Sequence, residues 1–440
     1  MKIVHLLGWY FPDSIGGTEV YVEALCRRLR AAGHEVLVAA PDSHQAAPER
    51  YEHDGVRVFR YAIPDTPTRD EAYHRVVIRG AERLHAWIAE ERPDILHMHS
   101  FTTGVGLPEV REAHRLGIRV IVTCHLPGFG YMCRTGELMQ WGRIPCDGIV
   151  EPAKCASCNL TRLGLSQPLA VMAGAVPPSA SRLLRRLPGR VGTTLGMSAS
   201  VLEYGRMQRE MFGLVDRFVV LNNTAKEMLV ANGSPAEKLV LNRLGLSQRA
   251  TRKPSADEAP TVTPVRLGCL GRIHPSKGLT ELVRAVVSLP RDVAFTVEIR
   301  GPASDPFTKA YAAELRALAG DDPRIRFEGA VPPSEVPRVL AGLDALLIPS
   351  MWFENGPTIA LEAMAVGTPI IASGVGNLAE IIEDGRTGRL VAPGDVDALA
   401  NAIREVSKNA ASTIDAWRRA LPAPRTMDDV TRDYLSLYAA

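Results

Sequence analysis

The stretch "VRLGCLGRIHPSKGLTELVRAVVSL", residues 265–289, decides the fold. It reads as a short β-rich run, a loop bounded by Gly271 and Gly278, and a helix. The same order opens the chain, where "KIVHLLG" leads through "WYFPDSIGG" into the helical "TEVYVEALCRRLRAAGH". In that first helix Val20, Ala24, Leu25 and Leu29 recur near the helical period, and Gly33 ends it. Gly8 through Gly17, Thr18 and Glu19 correspond loosely to Gly271 through Gly278, Thr280 and Glu281. After each opening, short β-rich runs alternate with helical segments: "EVLVAA", "VRVFRY", "DILHMHS" and "IRVIVTC" in the first half, "AFTVEIRGP", "IRFEGAV", "ALLIPS", "TPIIASG" and "GRLVAP" in the second. That alternation implies α/β architecture with two doubly wound, Rossmann-like parallel-sheet domains facing a central cleft, and ligands at the carboxyl ends of the strands. The expected boundaries are residues 1–246 for the first domain, 247–264 for a linker rich in Pro, Ser and Thr, and 265–415 for the second. Residues 416–440 are expected to form a closing helix, with Val430, Tyr434, Leu437 and Tyr438 on one face, packing back toward the first domain.

Bulk properties agree with that division. A chain of 440 residues is too long for one core. Its 51 basic and 49 acidic residues leave a net charge of +2, so no global field favours nucleic acid, and none is expected as a partner. "MKIVHLLGWYFP" reads as a first strand rather than a signal peptide, and no apolar run is long enough to span a membrane. A cytoplasmic location is expected.

Two loops have the composition of phosphate sites. Gly16 and Gly17 precede a helix, where missing side chains let a ligand reach backbone N–H groups, although a plain tight turn reads the same way. "GRIHPSKG" is more specific, because Gly271, Arg272, Lys277 and Gly278 lie at a strand-to-helix junction. Two cations are unfavourable beside a helix N-terminus unless an anion joins them. No Gly-x-x-x-x-Gly-Lys-Ser/Thr loop occurs.

In "SMWFENGPTIALEAMAVGTP", residues 350–369, Pro357 suits a helix start and Gly367 a helix end. Glu354 then falls in the loop and Glu362 in the second turn, on a small and polar stripe with Thr358, Ala365 and Val366. Following the strand "ALLIPS", the segment sits where a carboxylate can accept two sugar hydroxyls, beside the backbone N–H groups of Asn355 and Gly356. "DVD" at 395–397 looks like a metal-binding Asp-x-Asp, but its position before an apolar helix makes Asp395 an expected N-cap.

Together "DSIGGTE", "GRIHPSKG", "FENGPTIALEAMAVGTPIIAS" and "GNLAEIIEDGRTGRLVAPGD" resemble the retaining glycosyltransferases of family 4, which have the GT-B architecture. The resemblance covers nearly the whole chain except about residues 130–210. It implies transfer of a sugar from a nucleoside-diphosphate sugar to an acceptor hydroxyl with retained configuration, no metal being required, in bacterial-type surface polysaccharide or glycolipid assembly. The acceptor would be a carbohydrate or a lipid-linked group. Carried onto this sequence, it implies Arg272 and Lys277 at the donor diphosphate, with Gly271 in the same loop, and Glu354 at the transferred sugar. Asn355, Gly356, Pro357 and Thr358 would lie next to sugar and phosphate, Glu362 at the ribose, and Gly16 and Gly17 at the diphosphate. His125, after "IRVIVTC", would line the sugar or acceptor side. A nucleotide-sugar epimerase of related architecture is the alternative enzyme, and a non-catalytic sugar-nucleotide sensor a third reading.

The poorly matched insert holds Cys133, Cys146, Cys155 and Cys158. "CASC" has the two-residue gap of zinc ligands while the other gaps are irregular, so a structural zinc or iron–sulfur site, a redox pair and simple thiols all stay open. From Pro152 to Val201 there is no Asp or Glu, but Lys154 and five arginines lie among Leu, Val, Met and Pro. This fits peripheral contact with an anionic membrane face or a lipid-diphosphate acceptor, and equally a solvated loop.

Overall fold

A computed structural model describes residues 1–13, 16–125, 133, 136, 138–247 and 264–440. Most of the expected linker (248–263), two residues of the first glycine loop (14–15) and the start of the insert (126–132, 134–135 and 137) lie outside the described residues. The chain divides into two compact units, Met1–Arg243 with Met427–Ala440, and Leu244–Thr426.

The first unit contains β1 (Lys2–Leu6), β2 (Glu35–Asp42), β3 (Glu49–His53), β4 (Val56–Ala62), β5 (Ile95–Met98), β6 (Arg119–Thr123), a small hairpin of β7 (Met139–Gln140) and β8 (Ile144–Pro145), β9 (Arg217–Val220) and β10 (Leu239–Leu241). Apart from the hairpin they form one sheet in the order β10-β9-β6-β5-β1-β2-β4-β3. Ile3, Val4, Leu96, Val120 and Ile121 are fully buried, as continuous apolar runs in a parallel sheet covered by helices should be. The sheet departs from the expected all-parallel form at its edge, where β3 runs antiparallel to β4. Its sequence "ERYEH" carries no apolar alternation, because three of its five residues are exposed.

The helix Met427–Ala439 belongs to this unit and buries Val430, Tyr434 and Tyr438. Arg28 Nε donates to Asp428 Oδ1 at 2.6 Å, and Asn242 Nδ2 donates to the Val430 carbonyl at 3.2 Å. The segment just before it behaves differently from a closing helix that begins at 416. The helix Ala410–Ala420 buries Ile414 and Trp417 in the second unit's core, and Trp417 Nε1 donates to the Gly385 carbonyl at 3.1 Å.

The second unit is a wholly parallel sheet of β11 (Val265–Leu270), β12 (Phe295–Arg300), β13 (Ile325–Glu328), β14 (Ala345–Ile348), β15 (Ile370–Ser373) and β16 (Gly388–Val391). The order β13-β12-β11-β14-β15-β16 reverses direction between β11 and β14. At such a switch point the loops leaving the two strands diverge and open a crevice at their carboxyl ends. Gly278, after the β11 loop, has φ +68°, and a Cβ there would fall 1.8 Å from the Pro349 carbonyl oxygen that follows β14. Only glycine allows the two loops to approach so closely.

Candidate active site

The β11 loop and the β14 loop meet. The Met351 N–H donates to the Ser276 carbonyl at 2.9 Å, which ties one loop to the other. Lys277 ends a 3-10 turn, Pro275–Lys277, and its Nζ reaches Glu354 Oε1 at 2.7 Å with the Trp352 ring 5.8 Å away. Ser350 Oγ donates to the same Oε1 at 2.6 Å. Glu354 is only 5 % exposed, so its charge needs these partners. Both bonds fall on Oε1, and among the described residues Oε2 has no hydrogen bond, so it remains available to accept from a ligand hydroxyl. Arg272 and Gly271 lie exposed at the carboxyl end of β11, and Arg272 makes no ion pair among the described residues.

The helix after β11, Leu279–Ser288, has its Thr280 N–H already bonded to the Tyr311 hydroxyl at 3.2 Å. Only the N-cap Gly278 separates Lys277 from this helix, and the Lys277 cation is paired with Glu354 in the ligand-free chain. The helix Thr358–Ala365 starts at Pro357, its N-cap, and has no side-chain cap; the Ala360 N–H bonds the Pro357 carbonyl at 3.0 Å, while among the described residues the Thr358 and Ile359 N–H groups have no acceptor. Asn355 is buried, Gly356 half-buried and Thr358 exposed. Glu362 is half-buried in the second turn, and burial raises its carboxyl above the usual range. Val366, expected on the same open stripe, is buried as the C-cap. Asp395 caps Val396–Lys408 by accepting from the Ala398 N–H at 2.8 Å, as its spacing predicts.

In the first unit Gly16 is the N-cap of Gly17–Ala31 and provides no side-chain cap; a Cβ on Gly17 would meet nothing within 4 Å. His125 follows β6 and joins a buried histidine chain. Its Nε2 shares a hydrogen bond with His99 Nδ1 at 3.1 Å, and His99 Nε2 shares one with His5 Nδ1 at 2.8 Å. His5 Nε2 is buried without a partner. The three imidazoles form one continuous hydrogen-bonded chain from the core to the end of β6. Beside the chain, His97 bonds the Tyr438 hydroxyl at 2.6 Å and the Thr123 hydroxyl at 2.7 Å, and Thr123 meets Tyr434 at 2.6 Å. The ligand atoms of His5, His97 and His99 lie within 4.8 Å of one another, but both His97 nitrogens are taken by hydroxyls, so the trio forms a hydrogen-bond network. Burial pushes His5 and His125 down to about 3 and His97 and His99 well below the usual imidazole range.

Cys133, Cys146, Cys155 and Cys158 line one pocket, with Met139, Lys154 and Tyr204 among its other walls. None is in a disulfide. The Trp141 N–H donates to Cys158 Sγ at 3.3 Å, and burial pushes the thiols of Cys146 and Cys155 up to about 11 and about 12.

Each unit contains residues that the motifs do not announce. Ser350, Trp352 and the histidines at 5, 97 and 99 are unremarkable singly. The i, i+2 spacing of His97 and His99 on a strand, level with His5 in the register of β1 and β5, is the signal that puts them on one face.

Two measurements test these electrostatics. The buried histidines bind protons less readily folded than unfolded, so the stability they contribute is present above the ordinary histidine range and lost as pH falls through it. The thermal midpoint should fall between about pH 7 and pH 5 with an uptake of up to about four protons on unfolding, and His97→Gln should remove about one of them. Glu362 has a raised carboxyl, so its contribution is greatest below its unfolded value and lost as pH rises through the folded one. Glu362→Gln should therefore raise the urea midpoint of the ligand-free protein at neutral pH. An unchanged or lowered midpoint would contradict the assigned burial.

Comparison with known proteins agrees with this geometry. A model described as "Glycosyltransferase Family 4" matches residues 15–171, and one described as "Glycosyl transferases group 1" matches residues 264–409. A glycogen synthase of Mycobacterium tuberculosis is 26% identical over 443 residues, covering 96% of this chain and 89% of that protein. A 2-deoxystreptamine glucosyltransferase of Streptomyces kanamyceticus is 32% identical over 270 residues, 59% of this chain and 62% of its own. Among solved structures, sucrose-phosphate synthase of Thermosynechococcus elongatus superposes with a TM-score of 0.66 at 19% identity, covering 100% of this chain and 98% of that one. HepE of Anabaena in complex with UDP does so with 0.64 at 16% identity, covering 100% of both. The epimerase alternative finds no support among these relatives. The chain is a GT-B glycosyltransferase of the group 1/family 4 type.

Proposed function

We propose that the chain is a retaining hexosyltransferase, independent of metal in its catalysis, acting in surface polysaccharide or glycolipid assembly. It moves a sugar from a nucleoside-diphosphate sugar onto a hydroxyl of a carbohydrate or lipid-linked acceptor. The observation that carries this reading is the Lys277–Glu354–Ser350 cluster at the switch point of the second sheet, with Arg272 exposed beside it. Lys277 and Arg272 bind the donor diphosphate, and Glu354 Oε2 accepts hydroxyls of the transferred sugar. Glu362 holds the ribose hydroxyls from the helix face behind Thr358. Gly271, Asn355, Gly356, Pro357 and Thr358 line the donor, Gly16 and Gly17 approach the diphosphate, and His125 lines the sugar or acceptor side. The complexes of HepE with UDP and with UDP-glucose support a nucleotide-sugar donor of this kind.

In the reaction the acceptor oxygen bonds to the anomeric carbon while the bond from that carbon to the diphosphate oxygen breaks. Positive charge develops on the sugar and negative charge on the leaving diphosphate, which also takes the acceptor's proton. Lys277 and Arg272 therefore stabilise the transition state more than the bound donor. The work takes place in the cytoplasm, at the membrane face where lipid-linked acceptors are found; no helix among the described residues is long and apolar enough to cross a membrane.

A donor screen by thermal shift with nucleoside diphosphates and their sugars, followed by anomeric analysis of the product, tests the assignment. Arg272→Ala and Lys277→Ala should each lower turnover by well over tenfold, that is by more than about 1.4 kcal/mol. Full activity in either variant, or a product of inverted configuration, would reject it.

We also propose that Cys133, Cys146, Cys155 and Cys158 hold a structural metal, zinc before an iron–sulfur cluster, supported by their shared pocket. Protein purified without affinity-tag metals should contain about one zinc per chain. Metal content near zero would overturn this assignment and leave the catalytic one intact.

A further inference from the structure

The helical insert has a face that the reaction does not use. Its short helices Gln167–Gly174, Pro178–Leu184 and Gly189–Leu195 bury Ala170, Ala173, Ser181 and Gly192, in part against a small core with Ala156, Leu160, Met197 and Val201. Other side chains of the same segment stand in solvent although they are large and apolar. Met172 is 71% exposed, Leu163 66% and Leu183 65%, with Leu169, Leu187 and Val191 also exposed. Such a concentration of apolar surface marks an interaction site more often than a solvated loop.

Charge identifies the partner. An arginine followed by a large apolar residue recurs every fourth position, as Arg182–Leu183, Arg186–Leu187 and Arg190–Val191, and all six are exposed. These three arginines make no ion pair among the described residues, whereas Arg185 is committed to Glu203 at 2.8 Å. The absence of Asp and Glu from Pro152 to Val201 leaves their charge locally uncompensated in a chain whose net charge is only +2.

We propose that this surface docks onto an anionic lipid bilayer, the arginines at the phosphate headgroups and Met172, Leu183, Leu187 and Val191 in the acyl boundary. Both properties are used at once by such a surface, since cations draw the face to the headgroups and apolar side chains hold it there. A second copy of the chain meeting this face would bring like charges together.

Co-sedimentation of the full chain with vesicles tests the proposal independently of catalysis. The protein should bind phosphatidylglycerol-containing vesicles and bind phosphatidylcholine vesicles at least about tenfold more weakly. Arg182→Glu/Arg186→Glu/Arg190→Glu should lower binding to anionic vesicles by more than about tenfold. Met172→Ser/Leu183→Ser should weaken the binding that survives at high salt, where screening has removed most of the electrostatic share. All five positions are exposed, so the thermal midpoint should stay with the parent, and either variant set is sufficient if the other misfolds. Equal binding to neutral and anionic vesicles, or binding unchanged by the charge reversals, overturns the proposal. So does a dimer in analytical ultracentrifugation that the serine variant abolishes without any vesicle binding.

Discussion

Parallel strands joined by crossovers put all their carboxyl ends on one edge of the sheet, and every candidate donor contact in the second unit depends on that constraint. The β11 and β14 loops leave adjacent strands from the same edge, and close to the sheet, before they diverge, they touch. Gly278 lets the first loop pass against the Pro349 carbonyl, and the Met351–Ser276 hydrogen bond fixes the second loop to it. Lys277 and Glu354, 77 residues apart in the chain, can then form one pair. Without the locked loops Glu354 would be a buried charge lacking a cation, which is among the most costly arrangements a fold can contain.

Most of this architecture was legible in the sequence. The strands of both sheets appear as short apolar runs because both faces are covered, and the glycine loops mark where each first strand turns into a helix. Strand β3 escaped notice because an edge strand with exposed residues needs no apolar pattern. The helices of the insert were hidden for a related reason: large apolar residues on their outer sides blur the period by which a helix is recognised. Within the site, motif spacing located Lys277 and Glu354 separately, and an anion was needed to explain the cations. The fold supplies part of that anion itself, in the carboxylate of Glu354, which only the meeting of two distant loops could reveal. The role of Ser350, four residues before Glu354 in the same loop, has no motif to announce it.

The two units bury ionisable groups of opposite preference. Glu362 is held where its charged form is disfavoured, and the histidines of the first sheet where their neutral form is required. The histidine network is nevertheless well satisfied, since hydroxyls from Thr123 and Tyr438 occupy both His97 nitrogens. His5 Nε2, which has no partner among the described residues, lies at the end of the chain farthest from His125. The unsatisfied position is thereby kept in the core, and the hydrogen-bonded chain runs from it to the end of β6.

Because the helix Met427–Ala439 completes the first unit, that unit is assembled from two separate segments, while the second is continuous from Leu244 to Thr426. During synthesis on the ribosome the second unit has all of its residues before the first does. The earliest strands must therefore wait, with their histidine face uncovered, until Tyr434 and Tyr438 have left the exit tunnel. A nascent chain of this kind would need protection longest at the segment made first.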